Sequence, residues 1–382
     1  AVNMTAENIT AGGNATLNAG TDFFAKNVNV NGDASIAAGT NLTAHDVNVG
    51  GDLDAKAKNI TVTSVTGKGN AVLTADKDVT VTGAFSAHSA ELTAGENMTL
   101  GGKTDVGGTL TTNVAHDLTV NDAVTTGADF AAIVGNNAVT NGIVTTNGAL
   151  KWNVGNDLTA HAAVLSHGTT TIDAQNVNLN ADLMSDKNLA ITAKDNIITK
   201  EGTNLSTKAD GRLKARTVGF GGDVRADGTL TIETDEQLAA KNITAGGDAV
   251  LTPGTDITAN DVTVGGNLNA KAVNITAENI TAGGNATLNA GTDLFADNVN
   301  VGGDASITAG TKLNAHDVSV GGNLNAKAQN ITANSVTSKG NAVLTADKDV
   351  TLAGGISAKR NAELTAGENM TLDGKTDVGE TL

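Results

Sequence analysis

The chain has 382 residues, 46 of them glycine and one proline, with no cysteine, no tyrosine and 2% aromatic residues. Disulfide staples are excluded, and so is a thick globular core built on large rings. A formal net charge of −17 argues against nucleic acid, which selects basic patches, and against adhesion to anionic lipid; scattered acids keep a repetitive surface soluble.

From the amino terminus the apolar residues alternate in short runs. Val28 and Val30 form one run, a second is centred on Ile36, a third starts at Leu42, and Val47 and Val49 begin the plan again. Period-2 alternation is the signal of a strand with one buried face. The repeating plan is apolar-x-apolar, turn, apolar-x-apolar-x-apolar, turn, apolar-x-apolar. It runs through residues 8–25, 26–44, 45–62, 63–82 and 83–101. A period of about 18 to 20 residues lies in the solenoid range. One such unit cannot bury its own apolar face and needs copies above and below. Three strands and three turns per period therefore predict a three-faced parallel β-helix. Because a solenoid is one body of any length, residues 1–382 are expected to form a single continuous segment. No apolar run approaches the length of a membrane span, no signal peptide opens the chain, and Ala1 already stands inside a repeat.

The middle of the chain, residues 111–240, keeps the period but drifts in detail. Alignment on the shared turns places Phe130 and Trp152 inward. Phe130 falls where other coils carry Ala, and Ala132 where they carry Leu, an exchange that conserves core volume. Residues 201–222 are the least regular and longer than a standard coil, and they hold Arg212, Lys214 and Arg216. Insertions in solenoids map to loops, often on a binding face; a lengthened strand is the plainer alternative. Arg212, Lys214, Arg216 and Trp152 are therefore the candidate binding residues.

Regular coils return at residue 223, with Pro253 expected in a turn, where its missing donor does no harm. Residues 297–315 are the clearest unit. Val299 and Val301, then Ala305, Ile307 and Ala309, then Leu313 and Ala315 alternate between turns at Gly302-Gly303 and at 310–312. Glycine is expected there for positive φ in sharp turns. Residues 1–110 match residues 272–382 almost line by line, so the chain reads as a fragment of a duplicated array without terminal caps.

Chemistry-bearing patterns are sparse. The histidines are His45, His88, His116, His161, His167 and His316; His45 and His316 share a solvent-facing turn position in duplicated coils, and no paired acidic or cysteine ligand spacing accompanies His161 and His167. Asp76-Lys77-Asp78 and its copy Asp347-Lys348-Asp349 read as solvated turns rather than calcium loops. No catalytic residue, cofactor site or metal site is predicted. Sequons at Asn8, Asn59, Asn242 and Asn330 recur in phase with the coil, where stacked Asn side chains are expected to form amide ladders.

The recurring Gly-Gly-Asn/Asp-Ala-x-Leu-x-Ala-Gly pattern, as at residues 12–20 and 246–251, resembles the haemagglutinin repeats of filamentous haemagglutinin-type adhesins of the two-partner secretion class. The resemblance extends over nearly the whole chain and is weaker between 102 and 222. It implies a right-handed β-helical shaft, export through a partner pore and display on a bacterial cell surface. The resulting expectation is an all-β, right-handed parallel β-helix of roughly 19 coils, a rod on the order of 90 Å long at about 4.8 Å per coil. The expected function is that of a non-enzymatic stalk or filament segment of a secreted adhesin. Its partners would be flanking repeats or identical chains end to end and, beyond those, a receptor on a host or neighbouring cell, with no membrane insertion. The alternatives are a receptor-binding surface on the divergent coils, a polysaccharide-active enzyme on the same fold, and an ice- or crystal-binding threonine array. The last is disfavoured by irregular alternation of Thr with Asn and Ser.

Overall fold

In the computed structural model, which describes residues 2–382 and leaves Ala1 outside them, one coil shows how the chain closes on itself. Ala34, Ile36 and Ala38 alternate inward along the strand Ala34–Ala38. A corner at 39–41 leads into the strand Asn41–Val49, where Leu42 and Ala44 face inward. His45 and Asp46 then both face solvent, which breaks the alternation and bends the strand onto a third face carrying Val47 and Val49. The corner 50–52 delivers Leu53 directly onto Ala34, in parallel register. The coil is thus three strands around a narrow core of seven inward side chains, all buried.

Corner length explains the variable period. The first face has five residues and the other two have three, while the corners take two or three, except the five-residue corner 200–204. The coil starting at Leu53 uses two-residue corners at 58–59 and 63–64 and reaches Ala71 after 18 residues. The coil starting at Leu110 uses three-residue corners throughout and reaches Phe130 after 20.

The chain divides into two units, Ala1–Lys194 and Asp195–Leu382, each an all-β parallel solenoid on this plan. Together they hold about 20 turns. No helix occurs among the described residues, so none is long and apolar enough to cross a membrane. In the second unit Ala286, Ala305 and Leu324 stack in register on the first face, as do Leu294, Leu313 and Ile331 on the second. The inward residues expected at 299–315 are all buried.

Core volume is balanced between adjacent coils. Along the first face the pairs Leu110/Thr112, Phe130/Ala132 and Leu150/Trp152 stack in register, so Trp152 sits over the small Ala132. The indole meets the Phe130 ring edge-to-face, with centroids 5.8 Å apart. Hydroxyl groups also enter this core. Thr126 donates to Ala128 O at 2.8 Å, and Ser185 donates to Lys187 O at 2.9 Å. Four buried polar atoms have no hydrogen-bond partner among the described residues: the hydroxyls of Thr104, Thr112 and Thr140, and Trp152 Nε1.

The glycines do not serve the purpose expected of them. Among the described residues only Gly202 (φ 77°) and Gly355 (φ 96°) have positive φ. Most of the others, though not Gly12, Gly13 or Gly219, stand where a Cβ would meet the coil beneath. Backbone bonds cross the corners as they cross the strands, with Gly303 N donating to Gly284 O and Gly322 N to Gly303 O, each at 2.8 Å. The next N–H in each corner meets a side chain instead: Asp304 N donates to Asn285 Oδ1 at 2.8 Å, and Asn323 N to Asp304 Oδ1 at 2.7 Å. A folded-under carboxylate or amide thus supplies the acceptor for a corner N–H that the backbone beneath does not meet. It also occupies the space where a Cβ of the glycine above would lie, since a methyl on Gly303 would come closer than 3.0 Å to Asn285 Oδ1.

Pro253 is likewise not in a turn. It is the last, inward-facing residue of the strand Ala249–Pro253. The ladder to the following coil pairs Ala249, Val250 and Leu251 and stops there, as expected beside a residue with no N–H.

Replacing Gly303 by Ala should destabilise the protein by about 1–3 kcal/mol, the cost of forcing a methyl into a closed contact. Gly219→Ala, where nothing lies within 4 Å, should be neutral. Urea titration of both variants checks this; equal stability of the two would contradict the steric reason given for the corner glycines.

Candidate functional site

The basic cluster is built on a regular coil. Arg212 and Lys214 point outward from the strand Gly211–Ala215, and Arg216 follows at the corner. Each arginine meets acids about one coil away. Arg212 Nη2 lies 3.3 Å from Glu233 Oε1, and Arg216 lies 3.0 Å from Glu236 and 3.4 Å from Asp195. Lys214 stands beside Glu233 in register. The positive charge is therefore matched locally, by exposed pairs each worth under about 1 kcal/mol. The extra residues of 201–222 lie elsewhere, in the corner 200–204. There Gly202 adopts positive φ and Thr203 N donates to Lys200 O at 3.0 Å. No insertion loop carries the arginines. Trp152 is 2% exposed, so its ring offers no platform to a ligand, which corrects its place among the candidate binding residues.

The corners carry the most organised polar side chains. Asn298 Nδ2 donates to Asn279 Oδ1 at 2.8 Å, and Asn279 Nδ2 to Asp261 Oδ1 at 2.7 Å. The first unit has the equivalent rung where Asn27 donates to Asn8 at 2.6 Å, and a ladder on another corner where Asn59 donates to Asn41 at 3.0 Å. Amides alternate well with carboxylates because an amide both donates and accepts, while a carboxylate only accepts. At Asp317 the ladder ends on a hydroxyl. Ser335 Oγ donates to its carboxylate at 2.5 Å, and His316 Nδ1 lies 3.0 Å away. The Ser335 bond, then that of His316, hold the Asp317 carboxyl below its usual range. Asp210 is lowered in the same way by the backbone N–H of Thr229.

The histidines are distributed along the surface. His167 Nδ1 is 2.7 Å from Asp186 Oδ2, and His161 Nδ1 is 2.9 Å from Asn180 Nδ2. His45 meets Phe24 edge-to-face at 6.4 Å. In the 76–78 turn, Lys77 bonds Glu96 at 2.7 Å, which raises its pKa, and Asp78 accepts from Asn97. No group of three or more His, Cys, Asp or Glu among the described residues could hold a metal ion.

A groove not anticipated from the sequence runs along the second face of the unit Asp195–Leu382. It has a volume of about 740 Å³ and is lined by Thr276, Glu278, Phe295, Asp297, Asn314 and His316 together with neighbours on flanking coils. Phe295 points outward in the middle of it and is 36% exposed. A signal did exist: the first two of the Asp-Leu-Phe-Ala residues at 293–296 set Leu294 inward, so Phe295 had to face out.

Comparison with known protein families, curated proteins and solved structures finds no match.

Because the native pKa of Asp317 is lowered, its contribution is fully present above the ordinary carboxylate value of about 3.9 and is lost as pH falls through the native value. Asp317→Asn keeps an acceptor for Ser335 and removes the titration. Thermal melts followed by circular dichroism should show a shallower loss of stability for the variant than for the wild type below about pH 4. Parallel curves would contradict this.

Proposed function

We propose that the chain is a section of the stalk or filament of a large secreted bacterial adhesin, and that its role is mechanical and positional rather than catalytic. One observation supports this most. Within each unit successive coils are joined by parallel ladders on three faces around a narrow apolar core, so length is set simply by the number of coils. A spacer needs this property and an ordinary binding module does not. The resemblance of the Gly-Gly-Asn/Asp repeats to those of filamentous haemagglutinin-type exoproteins supports the surface location and export by two-partner secretion. It also supports a right-handed winding. Its partners in this reading are flanking repeats, or further copies in line with it.

The basic residues Arg212, Lys214 and Arg216 do not favour a receptor site, because both arginines are ion-paired and Lys214 faces Glu233 in register.

The reading is tested by exchange within the longer exported polypeptide that would carry this segment. An unrelated parallel β-helix of equal coil number should preserve adhesion by the rest of the molecule, whereas one shortened by five coils should reduce it. Loss of adhesion on the equal-length exchange would refute the spacer role.

A further inference from the structure

We propose that the groove on the second face of the unit Asp195–Leu382 binds a linear, uncharged oligosaccharide, with Phe295 as its stacking platform. The site is independent of the stalk role.

The aromatic residues supply the first argument. Phe23, Phe85, Phe130, Trp152 and Phe220 are all buried. The two that remain, Phe24 and Phe295, are outward-facing and occupy the same position in the duplicated blocks. An outward ring gains nothing from the core. In the groove it stands in a row with Thr276 on one side and Asn314 on the other, held in register by parallel pairing.

Comparison of the two copies supplies the second. In the first block Lys26 stands next to the ring position and bonds Glu7 at 2.9 Å, so the acid is already engaged. In the second block Asp297 replaces Lys26, leaving Glu278 and Asp297 one coil apart on the same rim. Three other outward lining positions also differ, each adding an amide or removing bulk: Thr43 becomes Asn314, Thr63 becomes Asn334 and Thr82 becomes Ala353. The ring and the histidine are kept while the lysine beside them gives way to a carboxylate and two threonines give way to amides.

The chemistry selects the ligand. An aromatic face stacks on the C–H face of a sugar, and carboxylates and amides accept and donate hydrogen bonds to its hydroxyls. Two carboxylates on the rim disfavour an anionic chain. An extended peptide would need an unpaired strand edge for its main chain. Here the strands beneath the groove are paired on both sides, from Asp256–Val264 through Asn274–Ala282, Asp293–Val301 and Lys312–Val320. Only side chains remain to make contacts, and successive coils present them at about 4.8 Å, comparable to the length of one sugar unit in an extended chain.

The test is a backbone-amide NMR titration of the full chain with β-1,4-linked hexaoses of glucose and of N-acetylglucosamine. A hyaluronan hexaose and an extended lysine-rich peptide serve as anionic and cationic probes. At least one neutral hexaose should give saturable shifts confined to residues 256–358. Phe295→Ala, and independently Asp297→Lys, which installs the residue of the first copy, should each weaken binding roughly tenfold or more. Phe24→Ala should leave it unchanged, and unaltered melting curves will show that the variants fold. The proposal is overturned if neither neutral hexaose binds, if binding survives both groove substitutions, or if the anionic or peptide probe binds the groove more tightly.

Discussion

The contact on which both units depend is the one between a corner and the corner directly beneath it. A strand can always find a parallel neighbour, but a corner exposes N–H groups that a neighbouring backbone does not reach. Asp304, Asn323 and Asn341 each direct that N–H to the side-chain oxygen of the equivalent residue one coil earlier, at 2.7 to 3.0 Å. Where the acceptor is Asn285, Asp304 or Asn323, folding the side chain under the corner leaves no room for a Cβ above it, and the residue there is Gly303, Gly322 and Gly340 in turn; above Asn341 the place is taken by Arg360, and the bond from Asn361 N lengthens to 3.2 Å. The recurring Gly-Asn/Asp pair is therefore one device made of two residues in different coils: an acceptor below and a vacancy above. Corners built this way stack at the same spacing as the strands, and backbone bonds cross them as they cross the ladders.

Much of this was legible in the residues. Alternation placed Val28, Ile36, Leu42 and Val47 inward correctly, and aligning the turns put Phe130 and Trp152 in the core with compensating volumes. What escaped depends on neighbours about nineteen residues away rather than on local pattern. Glycine in a tight turn suggests positive φ, but here the backbone is ordinary and the restriction comes from another coil. Arg212 and Arg216 look like a free basic cluster in one dimension. Read at the coil spacing, Glu233 and Glu236 stand opposite them. Pro253 fits the end of a strand because the ladder beside it has already stopped.

The same geometry separates structural from surface change. Inward positions favour exchanges that a neighbour offsets in volume, such as Phe130 with Ala132, because the core is one side chain deep from each face. Outward positions are limited by little except charge and solubility. Differences between the duplicated blocks at outward sites, above all Lys26 against Asp297, thus alter the surface while leaving the winding intact. A scaffold of this kind varies its surface chemistry coil by coil at little cost to stability.

The winding itself is tested most directly by paired cysteines, introduced into a chain that has none. Thr287 and Ser306 face solvent side by side on consecutive coils. At a strand spacing of about 4.8 Å they lie within the reach of a disulfide. Thr308, two residues further along the same strand, lies beyond about 7 Å from Thr287. Under mild oxidation the Thr287→Cys/Ser306→Cys variant should form its intramolecular bond quickly and completely, and Thr287→Cys/Thr308→Cys should not. Equal cross-linking of the two pairs, or preference for the second, would contradict a parallel coil of nineteen residues at this point in the chain.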